Sequence, residues 1–74
     1  MKTTTVPAGR LVRIDSETAL NVRLAGGEVV IDIVTTDEAG EVMEVDPAAL
    51  MMDKKAADAL RHALFRVVTE APDA

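Results

Sequence analysis

Cysteine, Trp and Tyr are all absent from this 74-residue chain, and Phe65 is its only aromatic residue. Without cysteine there can be no disulfide framework and no thiolate metal site, and a reducing cytoplasm is the expected location. Without aromatics the core must be built from Val, Ile, Leu, Met and Ala, which bury less area per side chain, so a thin core is expected. Long apolar runs are missing too. No stretch approaches the ~18–20 residues of a spanning helix, and MKTTTVPAGR at the N-terminus holds no signal-peptide apolar segment. Neither membrane insertion nor secretion is expected.

What is present suffices for a fold. The chain is 49% hydrophobic and 28% charged, with only 3 Pro and 4 Gly, which is a globular rather than a disordered composition. Its length allows one domain, residues 1–74, near the lower limit of independent stability, with 1–9 and 70–74 expected to be flexible. Chains this small without disulfide or metal commonly gain stability from a partner, which keeps a homodimer in view.

Alternation of apolar and polar residues predicts strands at RLVRI (10–14), ALNVRL (19–24) and EVVIDIVTT (28–36), joined by turns at DSET and Gly26-Gly27. A further turn at DEAG leads to a short fourth strand, EVMEV (41–45), which Asp46-Pro47 is expected to break. In the third strand Val29, Ile31 and Ile33 should face one way, and Val30, Asp32 and Val34 the other. Apolar and small residues from Ala49 to Val67 then recur at helical spacing. The helix could run continuously from Pro47 to Thr69 or be capped by Asp53. Lys54 and Lys55 would oppose the dipole of a helix starting at Asp53, which favours the continuous form. The predicted fold is a two-layer α+β domain, an antiparallel β-meander of three to four strands packed by one C-terminal α-helix.

Catalytic signatures are lacking. His62 is the sole histidine and Ser16 the sole serine. Ser16 falls in a turn where its backbone-bonding role suffices, and His62 is placed to pair with Asp58 one helical turn away. Gly26-Gly27 joins strand to strand, so it is a hairpin turn rather than a phosphate cradle. Glu41 and Glu44 have no deep apolar pocket to raise a carboxyl pKa. Met43, Met51 and Met52 read as gap fillers of the core. The expectation is a non-enzyme with no metal and no cofactor.

The distinctive feature is electrostatic. From Glu28 to Asp53 the chain carries Glu28, Asp32, Asp37, Glu38, Glu41, Glu44, Asp46 and Asp53 without one Lys or Arg. The eight Lys and Arg are scattered elsewhere, which argues against direct nucleic-acid binding. Arg23 is expected to meet Asp32 or Glu28 across the sheet. The remaining acids suggest a surface for a protein partner, with Asp32, Asp37, Glu38, Glu41, Glu44 and Asp46 as contacts and Val42 as an apolar one. Glu44 and Asp46, on one face of a strand, would stand about 6.5–7 Å apart, near the spacing of successive phosphates on a nucleic-acid strand. Val30, Val34 and Val42 are expected on that same face, forming an apolar patch rimmed by acids.

In size, acidity and lack of a catalytic site, the chain resembles small phage-encoded inhibitors of host defence such as anti-CRISPR proteins. That resemblance implies a cytoplasmic inhibitor that occupies the basic groove of a nucleic-acid-binding protein. The alternative is a structural or regulatory homodimeric accessory protein whose acids only confer solubility.

Overall fold

The computed structural model describes residues 4–72 and consists of four strands followed by one helix. The strands are β1 (Arg10–Arg13), β2 (Thr18–Ala25), β3 (Glu28–Thr36) and β4 (Val42–Met52), and the helix is α1 (Lys54–Glu70). The strands form one antiparallel sheet in the order β1-β2-β3-β4, with α1 lying against the β3–β4 half, so the fold is a two-layer α+β domain. The turns follow from local chemistry. Asp15 Oδ1 accepts from the Glu17 and Thr18 amides, both at 2.8 Å, which closes the β1–β2 turn. Gly26 and Gly27 have φ of 59° and 81°, the left-handed pair that a two-residue hairpin requires. Asp37 Oδ1 accepts from the Ala39 and Glu41 amides at 2.9 Å and holds the β3–β4 turn.

β4 is longer than the sequence suggests. Its expected end at Asp46-Pro47 is instead an irregularity inside a strand that continues to Met52. Register passes from Ile33↔Asp46 to Ile31↔Leu50, so Pro47, Ala48 and Ala49 all fall opposite Asp32. β4 is an edge strand, and at a bulge on an edge the missing Pro47 amide hydrogen costs no ladder bond. Ala48 turns the chain with φ 53°, and its amide donates to Asp32 Oδ1 at 2.9 Å.

The helix begins after Asp53, correcting the continuous reading. Asp53 Oδ1 accepts from the Ala56 amide at 2.8 Å, an N-cap bond. Such a cap is worth about 1 kcal/mol, enough to offset the unfavourable placement of Lys54 and Lys55 near the helix N-terminus.

The face expected to be exposed holds the core. Ala19, Val34 and Val45 are buried together, with Val6 and Val42 packed against them, and Val30 is buried on the same side. Residues 6–9 cover this face. The Pro7 carbonyl accepts from Asn21 Nδ2 at 2.9 Å, and a Cβ on Gly9 would lie 2.8 Å from Asn21 Oδ1 and the Val22 carbonyl. The N-terminal arm expected to be flexible is therefore seated on the sheet from Val6 onward, while residues 1–3 and 73–74 lie outside the described residues. The opposite face, which carries Val29, Ile31 and Ile33, looks toward α1.

Candidate protein-interaction surface

Asp32 was expected to be a surface contact, and it is fully buried instead. Four donors converge on its carboxylate. Oδ2 accepts from Arg23 Nε at 2.8 Å and Asn21 Nδ2 at 2.9 Å, and Oδ1 accepts from Arg23 Nη2 at 3.0 Å and the Ala48 amide at 2.9 Å. This saturates the acceptor capacity of a carboxylate. The Arg23 fork is the main cause of an Asp32 pKa well below the usual carboxylate range; burial opposes it, while the Ala48 and Asn21 bonds reinforce it. The expected Arg23–Asp32 pair is thus present, but its work is to hold the arm, the sheet and the β4 bulge together. Val42 is likewise half-buried against the core and offers little free apolar surface.

The other acids keep solvent access to different degrees. Glu38, Glu41 and Asp46 are exposed, and no ion pair is seen for them among the described residues. Asp37 is half-buried and spends one oxygen on the turn. Glu44 is half-buried as well and pairs across with Thr35, while Asp46 pairs with Ile33. Those two acids therefore share a sheet face, as expected, but the irregularity at Met43 puts them on the face opposite Asp32. Glu44 and Asp46 thus lie on the α1 side of the sheet rather than the Val30 side.

That side is open. Between the sheet and α1 lies a cleft of about 640 Å³, lined by Val12, Ile14, Leu20, Val22, Leu60 and Leu64 among others. α1 has no buried residue, and Val12, Ile14, Leu50 and Leu64 are each half or more exposed. Sequence reasoning missed this cleft. The signal was available in the helix: at about 100° per residue, Ala56, Ala57, Leu60, Ala63, Leu64, Phe65, Val67 and Val68 cover about half the circumference, wider than one sheet contact needs.

Arg61 Nη2 meets Asp58 Oδ1 at 2.8 Å and His62 Nδ1 stands 3.7 Å from Asp58 Oδ2, all on the exposed helix surface, as read from the spacing. Among the described residues, no group of three or more His, Cys, Asp or Glu could hold a metal ion, and no helix is long and apolar enough to cross a membrane. Comparison with protein-family models, curated proteins and solved structures finds no match.

Proposed function

We propose that this protein is a small, cytoplasmic, non-catalytic binding protein that engages a basic protein partner through the acidic end of its β3–β4 hairpin. The observation that carries this reading is the exposure of Glu38 and Glu41 at the β3–β4 turn, and of Asp46 further along β4, without an ion pair among the described residues. Asp37 and Glu44 add charge beside them. Concentrated charge of one sign steers a basic partner and makes association strongly salt-dependent. The basic groove of a nucleic-acid-binding protein fits best, and an inhibitor of the phage anti-host type, anti-CRISPR-like in mode, is the specific form proposed. Asp32 and Val42 are not included in this surface.

The test is capture of partners from bacterial lysate at low and moderate salt, comparing the natural chain with a Glu38→Lys/Glu41→Lys/Asp46→Lys variant. A nucleic-acid-binding protein held at low salt, released as salt rises and lost with the variant would support the reading. Equal capture by a correctly folded variant would rule the acidic end out. A second reading, a homodimeric accessory protein, is favoured by the open cleft.

A further inference from the structure

We propose that the cleft between the sheet and α1 is filled by the α1 helix of a second copy of this chain, in a two-fold symmetric dimer. This inference goes beyond the acidic-end reading and does not depend on it. Two observations converge on a second copy as the occupant.

The first is area. The chain exposes 5778 Å², whereas a folded monomer of 7.9 kDa exposes roughly 4,400 Å². The excess, on the order of 1,000 Å² for each chain, is what each partner of an obligate homodimer buries. The radius of gyration agrees, at 13.7 Å against about 11 Å for a compact chain of this length.

The second is shape. Four strands spaced about 4.8 Å apart make a layer that needs two helices of about 10 Å diameter to cover it. α1 lies against β3 and β4 only, leaving Val12 and Ile14 of the β1 end and Leu20 and Val22 of β2 lining an open space about one helix wide. α1 itself presents more apolar circumference than its own sheet uses. Each copy thus has one helix to give and one helix-sized gap to fill, which is the reciprocity of an isologous interface.

The experiment uses the full chain. Light-scattering or sedimentation mass should be twice 7.9 kDa over about 1–100 µM protein. Val12 and Leu64 are 50% and 56% exposed within one chain, so Val12→Glu and Leu64→Glu would be tolerated by a monomer. In the proposed dimer each should drop the mass to that of one chain. Because the sequence has no cysteine, placement can be read directly. Chains with Val12→Cys mixed with chains with Leu64→Cys should form a disulfide-linked heterodimer under mild oxidation, in preference to mixtures with an exposed Ser16→Cys control.

A single-chain mass across that range overturns the proposal, including the case in which a small apolar ligand fills the cleft. So does a dimer that survives both Glu variants, or one that gives no preferred Val12–Leu64 linkage, as strand-edge pairing would. Should the Glu variants fail to fold, the mass of the natural chain and the linkage pattern still decide.

Discussion

Arg23 and Asp32 meet diagonally across β2 and β3: Asn21 is the residue directly opposite Asp32 and Val30 the one opposite Arg23, yet Arg23 Nε lies 2.8 Å from Asp32 Oδ2. The Asp32 side chain is fully buried and that of Arg23 is 22% exposed. Removing one partner of such a pair strands a buried charge, at a cost of about 3–5 kcal/mol, here toward the low end because water reaches the arginine. Arg23→Ala is therefore expected to lower unfolding stability by about 3 kcal/mol in urea denaturation. In a domain this small, that change would leave much of the population unfolded.

The same pair sets the response to acid. Asp32 has a folded-state pKa below its unfolded value, chiefly through the Arg23 hydrogen bonds. Its contribution to stability is complete above the unfolded value of about 3.9 and is lost as pH falls from there toward the folded value. Stability should decline as pH falls below about 4. Asp32→Asn, already neutral, should show a flatter decline, measured as urea midpoint against pH.

Ala48 holds φ 53° at the β4 bulge, a conformation that costs a residue with a Cβ about 1 kcal/mol and glycine almost nothing. Ala48→Gly is expected to raise the melting temperature, and Ala48→Val to lower it. Thermal denaturation followed by circular dichroism would measure both.

Asp53 provides the N-cap of a helix that has no buried residue, so little packing is available to compensate for its loss. Asp53→Ala should cost about 1 kcal/mol and lower helical content measurably, whereas Asp53→Asn should retain most of the cap.

If association completes the fold, the melting temperature of the natural chain rises with protein concentration, since dissociation accompanies unfolding. Leu64→Glu should remove that dependence as well as lowering the melting temperature.

The turns and the first three strands were legible because their signals are local: Asp15 and Asp37 bond to amides two to four residues on, and Gly26-Gly27 needs no distant contact. β4 was not, because Pro47 reads as a breaker unless the strand lies at an edge and Asp32 is there to receive the Ala48 amide. Which sheet face becomes the core was equally hidden. Alternation separates Val30, Asp32 and Val34 from Val29, Ile31 and Ile33, but the choice between them depends on where residues 6–9 settle. Arg23–Asp32 was foreseen as a pair and misread as a surface feature, since a single sequence gives no measure of burial for an acid among valines.

The Ala48–Asp32 bond also fixes where β4 resumes its pairing with β3. Beyond Ala48 the chain carries Leu50 and Met52, which line the cleft, and then, after Asp53 alone, the whole of α1. The stretch that leads into the helix thus resumes its pairing just past a residue held by a carboxylate on the other face of the sheet. Replacing Asp32 is expected to loosen the bulge itself, while the pairs Ile31↔Leu50, Val30↔Met51 and Val29↔Met52 still hold the stretch that leads into α1. One buried acid in this way marks the point at which the last three residues of β4 re-enter the sheet ahead of α1.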